Sequence, residues 1–215
     1  MVRFGPKLAN PGRIRKIGVM RMGAARSMEE SPLAAAWKEP EEDFVPEADD
    51  DQTTVMALIE IPRGSRNKYE YDERTGRFFL DRVLYSSVHY PTDYGFIIET
   101  LAGDGDPLDV LVLVQEPTFP GCLIEARILG GLDMRDEKGA DFKVLAVPVG
   151  DPRYDHVQNL SDLGDHWLRE IETFFATYKL LEPKQTDVLG WHDLEETMQT
   201  LAACRERYRA LRGRR

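Results

Sequence analysis

Residues 104–114 read Asp-Gly-Asp-Pro-Leu-Asp-Val-Leu-Val-Leu-Val. Three carboxylates fall within six positions of a Gly/Pro turn, and an unbroken apolar run follows. Such a run of Val and Leu reads as a strand buried on both faces, so the turn sets negative charge at the root of a rigid element. Like charges this close repel. A hard divalent cation is the natural counter-charge, because Mg²⁺ and Ca²⁺ take oxygen ligands. Asp, Gly and Pro also favour plain solvated turns, so the turn alone admits a bland surface reading as well. An EF-hand is excluded, because Leu108 and Asp109 stand where that loop needs a ligand and a glycine.

Outward from this turn, the chain from residue 55 on reads as short strands with tight turns: 55–61, 67–71, 77–81, 83–88, 109–114, 122–134 and 142–149. Residues 72–76, Asp-Glu-Arg-Thr-Gly, read as a hairpin loop. Gly130-Gly131 inside a long strand predicts a bulge or bend. Several short strands at close spacing predict a small barrel. Two amphipathic helices follow, over 162–180 and 193–211. The first carries Trp167, Leu168, Ile171, Phe174, Phe175 and Tyr178 on one stripe, which reads as core packing rather than a cofactor box. Asp193 is the N-cap of the second.

Other charges sit where they can serve the same chemistry. Glu60 interrupts the apolar run Val55–Ile61. Lys68 and Glu70 share one face of a strand, with Tyr69 and Tyr71 on the other. Asp81-Arg82 precedes Val83-Leu84-Tyr85. Asp136 and Asp141 flank a turn, and Lys143 shares a strand face with Asp141. Tyr178-Lys179 ends the first helix. Singly, each of these is more often a solvated edge or a surface ion pair. Together they supply carboxylates for metals and Lys/Arg for an anion, the combination that phosphoryl transfer requires.

On these residues the chain resembles the soluble family I inorganic pyrophosphatases of the bacterial type. Asp104-Gly105-Asp106-Pro107-Leu108-Asp109 fits the family signature Asp-x-Asp-Pro-hydrophobic-Asp. Glu60-Ile61-Pro62 with Lys68-Tyr69-Glu70, Asp81-Arg82 with Tyr90-Pro91-Thr92-Asp93-Tyr94-Gly95, Asp136 to Asp141 with Lys143, and Tyr178-Lys179 match in order and spacing. The similarity runs from about Val55 to the C-terminus, and the N-terminal extension is the departure. The resemblance implies a mainly β fold with α, a small closed five-stranded OB-like barrel with extra strands packed against two C-terminal helices. It implies hydrolysis of pyrophosphate to two phosphates at a site holding several Mg²⁺, with Mn²⁺ or other divalent ions as substitutes. Asp104, Asp109, Asp136, Asp141 and Glu70 would be metal ligands, and Asp106 the proton acceptor for the attacking water. Lys68, Arg82, Lys143 and Lys179 would bind phosphate oxygens, Arg as a planar fork and Lys as a point charge. Tyr94 and Tyr178 would donate hydroxyl hydrogen bonds. Glu60 and Tyr90 would support the site from behind. A homohexamer is also implied by resemblance alone.

Composition bounds the alternatives. The 215 residues carry a net charge of −10 and suit one domain with a tail. Residues 1–28 hold seven basic side chains and no acid, residues 29–54 hold ten acids against Lys38, and the remainder carries −8. Such segregated blocks with scattered Pro and Gly read as a disordered extension over 1–53, ahead of a catalytic domain over 54–215. A transit peptide and a mis-assigned start among Met20, Met22 and Met28 are the other readings of the extension. The acidic balance argues against a nucleic-acid-binding barrel, which shows a basic footprint. A metal-binding but non-catalytic module would have no use for the intact phosphate-binding cations. Cys122 and Cys204 stand far apart without a CxxC pattern, as in a reducing, cytoplasmic compartment. No apolar run reaches membrane-span length, and the four histidines form no ligand pair.

Overall fold

The apolar run after the acidic turn forms a strand buried on both faces, and the rest of the fold is built around it. The computed structural model describes residues 53–137, 139–183 and 186–213. The elements in chain order are β1 (Thr54–Ile61), β2 (Asn67–Asp72), β3 (Arg77–Val83), β4 (Asp93–Ile97), β5 (Leu108–Val112), β6 (Leu123–Asp136), β7 (Gly139–Ala140), β8 (Lys143–Pro148), α1 (Asp165–Thr177), β9 (Thr186–His192) and α2 (Leu194–Arg212). The reading of residues 1–53 as an extension lies, save for Thr53, outside the described residues.

Five strands close a ring in the order β1-β4-β5-β8-β6, and β6 pairs back onto β1. The β5–β8 pair is parallel and the other ring pairs are antiparallel. The expected mainly β fold with a small five-stranded OB-like ring and two helices is thus the one observed. A closed ring leaves no ring strand with a free edge. Strand alternation sends β5 side chains to opposite faces. Leu108, Val110 and Val112 join a core to which all five ring strands contribute, capped by Leu201 and Cys204 of α2. Leu111 and Leu113 join a second core, where α1 lays down Ile171, Phe174 and Phe175.

The long strand β6 serves four neighbours, β1, β7, β8 and β9. It does so by shifting register between Ile128 and Gly130, at the expected glycine pair. A Cβ on Gly131 would lie 2.3 Å from the Phe142 ring, so only glycine lets that ring pack there. The expected hairpin forms from β2 and β3, with a second register shift beside Lys68. Asp193 caps α2, its Oδ1 accepting the Glu196 N–H at 3.0 Å.

Three local readings are corrected. Residues 83–88 are not a separate strand: β3 ends at Val83 and the chain turns away there, with Leu84 entering the second core. Strands β4 and β9 fall in stretches outside the expected strands. Both exist through ladders to partners distant in sequence. The first helix spans Asp165–Thr177 rather than 162–180: Leu160–Asp162 winds as a short 3-10 turn before it, and Tyr178 caps its end.

Candidate active site

Six separate pieces of chain deliver the charged residues to one cleft of about 590 Å³. The β2–β3 hairpin brings Lys68, Glu70 and Arg82, with Lys68 and Arg82 directly opposed in the ladder. The turn before β5 brings Asp104 and Asp106, and β5 itself brings Asp109. Asp136 ends β6, Asp141 lies on the link between β7 and β8, Lys143 opens β8, and Tyr178 and Lys179 follow the last residue of α1. Tyr94 of β4 and Glu60 of β1 complete the expected lining. Tyr90 stands behind it: it is 2% exposed and packs on Tyr94 and Phe174 at centroid distances of 5.4 and 4.8 Å. The cleft wall also includes Tyr71, Glu73, Phe96, Glu137, Tyr208 and Leu211, which sequence reasoning did not single out as site residues. Tyr208 and Leu211 recur at helical spacing along α2, a periodicity that does not tell core from cleft wall.

The acidic turn holds its own shape. The Asp106 N–H donates to Asp104 Oδ1 at 3.2 Å, and the Ala102 N–H to the Asp106 carbonyl at 2.7 Å. The Asp104 and Asp106 side chains stay exposed while Asp109, on the strand, is half-buried.

At the centre, Lys143 Nζ donates to Asp109 Oδ2 at 2.6 Å, to Asp141 Oδ1 at 2.8 Å and to the Tyr94 hydroxyl at 3.0 Å. The parallel ladder sets this up, because Asp109 and Lys143 are register partners. Burial works against the ammonium, but Asp109 and Asp141 outweigh it and hold Lys143 above its ordinary range. Burial raises the Asp141 carboxyl and Lys143 opposes it, with the net shift upward. Tyr94 is kept a neutral phenol by burial and by the Asp109 and Asp141 charges, and its hydroxyl donates to Asp109 Oδ2 at 2.5 Å. Burial likewise raises Tyr178.

The other cations follow the same pattern. Lys68 donates to Glu70. Lys179 lies 3.2 Å from Asp136 Oδ2 and 3.6 Å from Glu137 Oε2. Arg82 holds Asp81 through NH1 at 2.6 Å and Glu182 through Nε at 3.2 Å. Burial pulls the Arg82 guanidinium down, but those two carboxylates raise it further. Glu60 is the exception. Its Oε1 accepts the Tyr71 N–H at 2.8 Å, and burial pushes its carboxyl up to about 7.

Among the described residues no three acidic side chains converge on one point as they would around a bound ion. Lysine ammoniums take up the charge of Glu70, Asp109, Asp136 and Asp141, and Lys143 lies between two of these carboxylates. The donor set is all carboxylate oxygen, which fits a hard divalent ion rather than a soft one.

Comparison with known proteins places this geometry. A family model described as inorganic pyrophosphatase matches residues 57–209. The chain is 53% identical over 155 residues to an inorganic pyrophosphatase from Synechocystis, covering 72% of this chain and 92% of that one. It is 54% identical over 155 residues to an inorganic pyrophosphatase from Halalkalibacterium halodurans, covering 72% and 95%. The crystal structure of inorganic pyrophosphatase from Thermus thermophilus superposes with a TM-score of 0.72 at 47% identity, covering 79% of this chain and 96% of that chain. The Helicobacter pylori inorganic pyrophosphatase superposes with a TM-score of 0.73 at 40% identity, covering 76% and 98%. With the cleft's charges and these relatives together, the chain belongs to the inorganic pyrophosphatase family of enzymes.

Proposed function

We propose that the cleft hydrolyses inorganic pyrophosphate to two phosphates in a reaction that depends on a divalent metal. The observation that carries this reading is the interleaving of acids and cations in one cleft, above all Lys143 shared between Asp109 and Asp141. Pyrophosphate concentrates negative charge on two adjacent phosphoryl groups. A site that binds it must present positive charge and also keep that charge balanced when the cleft is empty. Each ammonium here is held by a carboxylate, ready to exchange that partner for a phosphate oxygen.

Magnesium held by Asp104, Asp109, Asp136, Asp141 and Glu70, with manganese able to use the same oxygens, would supply Lewis-acid polarisation and lower the pKa of bound water. The chain's own residues do the rest. Lys68, Arg82, Lys143 and Lys179 bind the phosphate oxygens, and Tyr94 and Tyr178 donate hydroxyl hydrogen bonds as neutral phenols. Asp106 accepts a proton from the water that attacks phosphorus, as the P–O bond to the leaving phosphate breaks. Glu60 and Tyr90 hold the wall: Glu60 ties β1 to β2 through the Tyr71 N–H, and Tyr90 packs beneath Tyr94. The proposal includes residues 54–215 as the catalytic domain, a homohexameric assembly, and a cytoplasmic location in keeping with the free thiols of Cys122 and Cys204.

A Mg²⁺ titration of phosphate release separates the two acidic roles. Asp109→Ala removes charge that holds cations and a hydrogen-bond acceptor of Lys143, so it shifts the metal midpoint upward and lowers the rate. Asp106→Asn keeps the shape but removes the basic oxygen, so it lowers kcat by on the order of 10²–10⁴-fold with the midpoint little changed. Circular dichroism confirms that both variants are folded. If Asp106→Asn shifts the metal midpoint as far as Asp109→Ala and saturates to a normal rate, the assignment of base and ligand is wrong. No phosphate release from folded wild-type protein in millimolar Mg²⁺ overturns the function itself.

A further inference from the structure

Glu182 lies on the turn that follows Tyr178 and Lys179, and it does not itself line the cleft. Its backbone N–H donates to the Lys179 carbonyl at 2.8 Å, so the turn is closed on the residue that faces the site. Its side chain is only 4% exposed, although its chain neighbours Leu181 and Pro183 are exposed. It accepts from Arg82 Nε at 3.2 Å, across 100 residues of sequence. A carboxylate withdrawn from water is expensive unless it is paired and hydrogen-bonded, so this one has been placed for its partner.

The pairing fixes how Arg82 presents itself. A guanidinium is a planar fork with five N–H donors. Glu182 takes Nε and Asp81 takes NH1, so two of its three nitrogens are anchored. Among the described residues, no protein group accepts from NH2. Anchoring Nε also fixes rotation about the end of a long, flexible side chain, which otherwise loses entropy each time it binds an anion.

We infer that Glu182 is a positioning residue for catalysis: it holds the Arg82 guanidinium with its NH2 edge free for a substrate phosphate. This rests on the reading of Arg82 as a phosphate ligand. It makes the turn after α1 a single anion-binding unit, presenting Tyr178 and Lys179 directly and Arg82 through Glu182.

The test compares Glu182→Gln, Glu182→Asp, Arg82→Lys and the double variant Glu182→Gln/Arg82→Lys, measuring KM and kcat for pyrophosphate at saturating Mg²⁺. The rise in Tm produced by inorganic phosphate is followed in parallel. Glu182→Gln should raise KM about tenfold, with a smaller change in kcat, as expected for loss of one charge-assisted hydrogen bond. It should also shrink the phosphate-induced rise in Tm. Glu182→Asp keeps the charge at a shorter reach and should recover part of the loss, and it serves as the working variant if the Gln form folds poorly. In the Arg82→Lys background, Glu182→Gln should change KM less than about twofold, because pairs that act through one contact are non-additive. An unchanged KM with a lowered Tm would make Glu182 merely structural and overturn the proposal. Equal KM effects in both backgrounds would also overturn it, because Glu182 would then act independently of Arg82. If Arg82→Lys itself leaves KM and the phosphate-induced Tm shift unchanged, the phosphate-ligand reading of Arg82 falls, and the proposal with it.

Discussion

Glu60 shows how one residue can pull against the fold that holds it. It sits in an otherwise apolar strand, and burial raises its carboxyl from 4.5 to about 7. The folded state therefore favours the protonated acid. The stability this contributes is fully present below the unfolded value of 4.5 and is lost as the pH rises through about 7. Above that pH the ionised, buried carboxylate costs on the order of 3 kcal/mol. Glu60→Gln keeps an oxygen for the Tyr71 N–H and removes the charge. The metal-free variant should melt several degrees above wild type at pH 8, and the two curves should converge as the pH falls towards 5. Calorimetry across that range checks it, and a variant that melts below wild type at pH 8 refutes it. Lys143 is the opposite case, a buried cation that two carboxylates hold in its charged form. The sequence put Asp141 and Lys143 on one strand face, but the neighbouring strand had to bring Asp109 alongside.

At the scale of elements, the placement of Tyr94 depends on how closely β4 lies against β1. Gly95 opposes Ile59 in that ladder, and a Cβ there would fall 1.9 Å from the Leu58 carbonyl oxygen and 2.8 Å from the Ile59 Cα. Both are backbone atoms of a core strand, so no rotamer change relieves the clash. Gly95→Ala should therefore destabilise by more than the roughly 1–3 kcal/mol usual for overpacking. Gly150→Ala, where an added Cβ meets nothing within 4 Å, should leave stability nearly unchanged. Urea midpoints for the two variants make the comparison, and equal midpoints would mean that β4 moves away from β1 at little cost. The ladder matters for the site because Tyr94, beside Gly95, reaches both Asp109 and Lys143.

For the whole molecule, the question is which part of the chain the activity needs. The matched family segment covers residues 57–209 and every residue assigned a role lies within it. Residues 1–53 carry opposed charge blocks and no apolar periodicity. A chain beginning at Thr54 should therefore keep the full chain's kcat, KM and Tm. A large loss in any of these would mean that the extension packs on the catalytic part or on a neighbouring subunit. Light scattering on both forms should return a hexamer's mass, and a monomer at working concentration would remove that assembly.

The sequence by itself determined the class of fold and which residue types the cleft would hold. The acidic turn, the Lys-x-Glu strand and the Tyr-Lys helix end are local patterns, and their residue types are dictated by charge and oxygen donors. The apolar run after the turn, the glycine pair and the Asp193 cap also carry their signals within a few residues. Tertiary structure decided what depends on partners far away in the chain. Strands β4 and β9 form because β1, β5 and β6 supply their hydrogen bonds, against weak local preference. Tyr208 and Leu211 become cleft wall because α2 packs beside the acidic turn, and periodicity cannot tell a helix face covered by core from one bordering a cleft. The pairings of Lys143 with Asp109, Lys179 with Asp136 and Arg82 with Glu182 are likewise tertiary. Arg82 and Glu182 stand 100 residues apart, and only the folded chain brings a buried acid to a cation that needs it.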